Sequence, residues 1–323
     1  MNIQSSMRKS NNMKTAIIYH YYEANVTYKE NLIFFLNVAI SSEIDCYVYI
    51  SGTCSIELPS YDNVKYINIE NKNNDFGAAI SFSHLKESES YDNYIFINCS
   101  VRGPFLTTYY PYKWYEVFTS KLTKKTAIVG SSINLLPESC KDSRYFADKI
   151  VSPGPYIHVQ TPAFALSSDG YMLLKKEKFF EVDDKLSHID VILRWEIMLS
   201  QTLLDNNFNI ASILPTYESF SVTSKKIEYK TTLKNGDPLR RSSFYGRSLS
   251  PLETLFVKTN RDIISKRELY SYTFTSLEYL HSKQKLTKDG KKLFIKASKE
   301  YSKKNNILEK IATKLTKKAN KCI

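Results

Sequence analysis

Short apolar runs separated by polar turns dominate the chain up to about residue 215, and their lengths point to strands alternating with helices. Lys14–Tyr22 (KTAIIYHYY) predicts a first strand and Asn31–Ile40 (NLIFFLNVAI) a buried helix. Cys46–Ser51 and Val64–Ile69 predict two more strands, and Asn74-Asp75-Phe76-Gly77 leads into the helical pattern AAISFSHLKES. Tyr94, Ile95, Phe96 and Ile97 form a continuous apolar run, the mark of a strand buried on both faces, as in a parallel sheet. Thr126–Gly130 repeats that pattern. Tyr156–Leu166 reads as one strand with His158 and Gln160 on the same face. Asp190–Asn206 has helical spacing, with Ile192, Trp195, Met198, Leu199 and Leu203 apolar and Glu196 among them, and Asn209–Leu214 returns as a strand. The alternation predicts an α/β fold with a mainly parallel central sheet flanked by helices.

The end of the fourth strand matters most. Asn98, Ser100 and Arg102 arrive where the apolar run stops, and Gly103 and Pro104 then turn the chain. Open α/β sheets bind ligands outside the carboxyl ends of their strands. An amide, a hydroxyl and a guanidinium therefore stand where a ligand would bind, although a plain polar turn gives the same pattern. Lys225–Arg247 is polar and basic, turns at Asn235-Gly236-Asp237-Pro238, and reads as a candidate mobile loop.

At 323 residues the chain suffices for one large or two modest domains. No apolar run approaches the roughly 20 residues of a membrane-spanning helix. Residues 1–13 lack the apolar core of a signal peptide and read as a short disordered leader. The five cysteines show no C-x-x-C pairing, which argues against a zinc or disulfide framework and for a reducing cytoplasm. The net charge of +12 is local: residues 281–323 hold 14 lysines against Asp289, Glu300 and Glu309. Leu308, Ile311, Ala312 and Leu315 share one helical face among those lysines, a pattern suited to an anionic membrane surface. A solvated tail is the competing reading. Nucleic-acid binding ranks last, because no zinc-finger or RNA-recognition signature accompanies the charge.

No nucleophile elbow, phosphate-binding glycine loop, dinucleotide fingerprint or H-E-x-x-H occurs, which removes the commonest hydrolase, kinase, dehydrogenase and metalloprotease readings. The blocks IIYHYYE with NLIFFL, NNDFGAAISF, YIFINCSVRGPF with AIVGSSIN, HVQTPAFALSSDGYMLL, RWEIMLSQTLLDNNFNI and YGRSLSPLETLFVKTNR span roughly residues 14–262. In that order they resemble the GT-A-type glycosyltransferases of bacterial capsule and lipopolysaccharide synthesis. The resemblance implies a Rossmann-like GT-A domain over 14–262 and transfer of a sugar from a nucleotide-sugar donor to a surface-glycan acceptor. Residues 263–323 lie outside it and read as a basic helical extension, whose docking on the inner face of the cytoplasmic membrane would suit a lipid-linked acceptor confined to the bilayer.

Carried over by position, the resemblance sets the first strand and Asn74-Asp75-Phe76-Gly77, with Asp75 and Gly77, against the nucleotide, and Asn98 and Ser100 against the diphosphate. The diphosphate charge itself calls for cations, and Arg102, Arg240, Arg241, Arg247, Lys258 and Arg261 are those available. Gln160 shares with His158 the strand face expected to meet the sugar or acceptor. Asn98-Cys99-Ser100 stands where the superfamily keeps a D-x-D motif that holds manganese or magnesium against the diphosphate. Two neutral oxygens and a thiol are poor ligands for those ions, so a divalent cofactor is doubtful and arginine or lysine is its natural substitute. Glu196 is the first choice for a catalytic base, with Asp169 and His158 behind it. Asp169 also suits a helix cap, His158 a satisfied core group, and Glu196 an ion pair. A non-catalytic sugar- or nucleotide-binding module on the same fold is the main rival.

Overall fold

The computed structural model describes residues 13–107, 109–110, 113–151, 154–182, 185–217, 219–221 and 236–303. The leader up to Asn12, the loop from Lys225 to Asn235 and the apolar stripe from Leu308 lie outside the described residues. The chain divides into two units, Met1–Ile264 and Ser265–Ile323.

The strands are β1 (Thr15–Tyr22), β2 (Asp45–Ser51), β3 (Val64–Ile69), β4 (Asn93–Asn98), β5 (Val101–Arg102), β6 (Thr126–Gly130), β7 (Ile133–Leu136), β8 (Tyr156–Val159), β9 (Ala163–Ser167), β10 (Asn209–Ser212), β11 (Ser219–Phe220) and β12 (Val257–Lys258). Eight of them form one sheet in the order β11-β10-β6-β9-β4-β1-β2-β3. The neighbours β3, β2, β1 and β4 are parallel, β9 runs antiparallel between β4 and β6, and β6 pairs parallel with β10. This is the expected α/β class.

Helix Val26–Val38 links β1 to β2, and helix Asn74–Ser83 links β3 back across to β4. The two connections run in opposite directions along the sheet, so right-handed crossovers put their helices on opposite faces. The side chains agree: Tyr19 meets Phe35 of the first helix at 4.4 Å, whereas Ile18 and His20 line a pocket with Asp75 and Ala78 of the second. The sheet therefore reverses its winding at β1 and β4, and a crevice opens beyond their carboxyl ends.

Three expectations change. Tyr156–Leu166 is two strands, β8 paired with β7 and β9 in the main sheet. The break falls at Gln160-Thr161-Pro162, where proline has no N–H to give a ladder. The helical stretch runs from His188 to Asp205, but Ile192–Met198 is wound as a π-helix, a widening common at functional sites. Finally, Gly236 to Leu239 are buried, so this end of the proposed mobile loop is part of the packed unit.

Two short ribbons, β12–β5 and β7–β8, stand apart from the main sheet. In the first, a Cβ on Gly103 would lie 2.5 Å from both the Leu255 carbonyl oxygen and the Phe256 ring, so only glycine lets these segments close up. The second unit is a helical hairpin, Lys266–Ser282 and Lys288–Tyr301, joined by stacking of Phe274 on Phe294 at 4.9 Å. Among the described residues no helix is long and apolar enough to cross a membrane.

Candidate functional site

The crevice at the winding reversal has an aromatic and polar floor. Ile18 and His20 of β1, Asp75 and Ala78 of the second helix, Phe96 and Ile97 of β4, Thr161 and Trp195 line it. Trp195 stacks on Phe76 at 4.9 Å and donates its indole N–H to Asp75 at 3.1 Å. Asn98 donates its amide to the same oxygen at 3.0 Å, so Asp75 sits fixed between strand and helix. Gly77, two residues on, is buried where a Cβ would overlap the Lys72 carbonyl oxygen, which makes it a packing residue of the turn that presents Asp75. His20 bonds Ser51 at 2.9 Å, and burial pulls its imidazole down to about 4 against the opposing pull of Asp75.

At the D-x-D position the turn closes on itself. The Asn98 side-chain oxygen accepts the Ser100 backbone N–H at 3.0 Å and the Ser100 hydroxyl as well. Cys99 turns back to β1, accepting from the Tyr22 N–H at 3.3 Å, and burial pushes its thiol up to about 12. None of the three presents an anionic ligand to the crevice. Among the described residues no three His, Cys, Asp or Glu side chains converge as a metal site. The Asn98-Cys99-Ser100 turn does not fit a hard divalent ion.

Charge reaches the crevice from later segments. Asp237 is buried, accepting from Gln160 at 2.8 Å, the Leu239 N–H at 2.9 Å, Arg240 at 3.3 Å and Arg261. Burial pushes this carboxyl up, but Arg261, the two hydrogen bonds and Lys258 outweigh it and leave it below the usual carboxylate range. Gln160 also accepts the Ser132 hydroxyl, so it is held between Ser132 and Asp237 and supports the latter.

Glu196 projects from the π-helix and is partly buried. Its sequence neighbour Arg194 is spent on the carbonyls of Lys178, Phe179 and Glu181 and does not pair with it; the cations within its electrostatic reach, Lys258 and Arg261, come from another element. Burial, with Asp75 and Asp237, raises the Glu196 carboxyl, while Lys258 and Arg261 oppose the shift. Lys258 is the counterpart: burial and Arg261 lower its ammonium, opposed by Glu196, Asp237 and Asp75. Five charged groups from distant segments are thus within electrostatic reach of one another, and Asp75 among them lines the crevice.

Other predicted site residues lie elsewhere. Arg102 is fully buried, bonded to Glu30 at 2.8 Å and Asn31 at 2.9 Å, so it is a structural cation that no donor can touch. Asp169 begins helix Ser168–Lys176 beyond Ser167, which pairs with Asn93. That places it at the opposite end of β4, about 17 Å of strand from Asn98, because β9 is antiparallel. Arg247 is held by Glu253 at 2.7 and 2.6 Å in a surface clasp. His158 is buried, its Nδ1 bonded to the Tyr156 carbonyl at 2.7 Å, and burial lowers it to about 4. It is a neutral core group behind Asp237.

The residues missed from the sequence are Asp237, Trp195, Thr161 and His20. Trp195 carried one signal, a large aromatic beside Glu196 on the same helix. Asp237 carried none beyond a turn.

No family model and no curated protein sequence matches the chain. Among solved structures it is similar to an active-site mutant of LgtC, a galactosyltransferase, at 12% identity over 80% of this chain and 94% of that one, with a TM-score of 0.38. A mannosyltransferase from Pyrobaculum calidifontis, determined with GDP-Man and Mn2+, is similar at 9% identity over 90% and 87%, TM-score 0.37. The bifunctional glycosyltransferase WbbM is similar at 11% identity over 62% of this chain and 38% of that one, TM-score 0.32, so the chain spans well under half of its length. At these identities and scores no residue's role carries across.

Proposed function

We propose that this chain is a GT-A-type glycosyltransferase that moves a sugar from a nucleoside-diphosphate donor to a glycan acceptor. The observation that carries the reading is the convergence of Asp75, Glu196, Asp237, Lys258 and Arg261 outside the carboxyl ends of β1 and β4, where the sheet reverses. A charged nucleotide and a neutral sugar need both halves of such a site: cations for phosphate, and an aromatic wall with carboxylates for hydroxyl groups.

Glu196 is the base in this reading. A carboxylate with a raised pKa takes a proton better than an ordinary one at neutral pH, and no hydrogen bond within the described residues occupies it. Asp75 and Trp195 shape the sugar pocket. The acceptor is a lipid-linked surface glycan of the capsule or lipopolysaccharide kind, and the lysine-rich stretch from residue 281 holds the enzyme at the inner face of the cytoplasmic membrane.

The test is a thermal-shift screen against common nucleotides and sugar nucleotides, followed by donor hydrolysis. Stabilisation by one nucleoside diphosphate and its sugar, with slow release of that sugar to water, is the expected result. Binding without hydrolysis or transfer would leave the binding-module rival; no binding would end the reading.

A further inference from the structure

Lys258 arrives beside the D-x-D position from a strand formed 160 residues later. In the β5–β12 ribbon Lys258 pairs with Val101 and Val257 with Arg102. Thr259, the next residue, donates its N–H and its hydroxyl to the Ser100 carbonyl at 2.8 and 2.9 Å. Asn31 ties the lace from behind, donating to the Cys99 carbonyl at 2.9 Å and to Thr259 at 2.8 Å. The buried Arg102–Glu30 pair anchors the same corner. The segment that carries the lysine is thus fastened to the turn that would otherwise hold a metal.

The ammonium itself is uncommitted. Among the described residues it has no hydrogen bond and no ion pair, although three carboxylates stand within its electrostatic reach. Arg261, three residues on, completes the positive edge and is aimed by Asp237. A half-buried ammonium without a partner is costly, and a phosphate oxygen is the anion that would satisfy it.

We propose that Lys258, with Arg261, takes the place of the divalent ion and binds the donor diphosphate directly, so that transfer is independent of metal; this rests on the glycosyltransferase reading above. In single-displacement transfer the bond from C1 of the sugar to the diphosphate oxygen breaks, and its electron pair leaves with the diphosphate. The acceptor oxygen forms the new bond to C1 and its proton passes to Glu196. Lys258 and Arg261 meet the negative charge that develops on the leaving oxygen. Asp237 is a positioning residue for Arg261.

Calorimetric titration of the full chain with UDP, GDP, CDP, ADP and TDP, in EDTA and in manganese, tests this. One nucleoside diphosphate should bind equally well in both, within about threefold. Lys258→Met should weaken that diphosphate and inorganic pyrophosphate by roughly 10- to 100-fold, leave the parent nucleoside unchanged, and melt no lower than the native protein. Lys258→Arg should retain most of the affinity. Lys258→Gln replaces the methionine variant if the latter fails to fold. Binding that requires manganese, or a charge-free variant that binds diphosphate normally, overturns the metal-free site while the glycosyltransferase reading stands. Absence of nucleotide binding in both buffers overturns both.

Discussion

Trp195 donates its indole N–H to Asp75 at 3.1 Å, joining the π-helix to the helix beyond β3 across 120 residues of sequence. That bond fixes the wall of the crevice, and Glu196, the proposed base, is the next residue along the same helix.

Removing the Glu196 carboxylate should therefore affect chemistry and not assembly. Glu196→Gln is expected to lower kcat by about 10²- to 10⁴-fold while donor affinity and melting temperature stay near native. Initial rates at saturating donor, beside a binding titration, check this. A drop in affinity with unchanged kcat would give Glu196 a binding role.

The pH profile should be bell-shaped with both limbs displaced inward. Glu196 must be ionised and its carboxyl is raised by burial, so activity should fall on the acid side above the ordinary glutamate range. Lys258 must be protonated and its ammonium is lowered, so the alkaline limb should lie below an ordinary lysine. Log kcat/KM against pH measures both. Lys258→Arg should move only the alkaline limb, to higher pH.

Asp237→Asn would leave Arg261 without its carboxylate. Arg261 is partly exposed, so the expected loss of stability is modest, about 1–3 kcal/mol by urea unfolding. Because the folded carboxyl lies below its unfolded value, its stabilisation is present above about pH 4 and is lost as pH falls further. The variant should lose that acid-side slope together with diphosphate affinity.

Arg102→Met tests the buried pair. It removes the guanidinium that Glu30 accepts from at 2.8 Å and should cost about 3–5 kcal/mol, whereas Arg102→Met with Glu30→Gln should recover part of that loss. Denaturant midpoints of the two variants decide the matter.

The histidines predict a stability slope. His20 and His158 both lie at about 4 when folded and at 6.5 when free. Between those values the unfolded chain binds more protons, so stability rises with pH across that window and falls on acidification. On the order of 2 kcal/mol per histidine should be lost between pH 6.5 and 4.5. Urea midpoints across this range check it, and His158→Gln should remove about half of the slope.

The parallel half of the sheet was legible because β1, β2 and β4 are buried on both faces, which forces continuous apolar runs. The helical stretch that carries Glu196 was legible too, from its apolar spacing. What escaped is what only tertiary contact creates. Asp237 sits in a polar stretch that reads as a loop; its burial depends on Gln160, 77 residues earlier, and Arg261, 24 residues later. Arg102 misled for the reverse reason. A guanidinium after a strand reads as a ligand contact, and only the helix carrying Glu30 and Asn31 reveals it as a core group. Tyr156–Leu166 looked continuous because two strands of different sheets share one apolar vocabulary, interrupted by a single proline.

If Lys258 binds the donor as proposed, the fastening of Thr259 to Ser100 gives the crevice a resident cation. A positive charge carried on a side chain of the fold cannot be chelated, exchanged for another ion or exhausted when manganese is scarce. It also cannot be withdrawn, so every copy of the protein carries a half-buried, unpaired ammonium until an anion binds. Such an enzyme gives up some resting stability in return for a site that is complete as soon as the chain has folded.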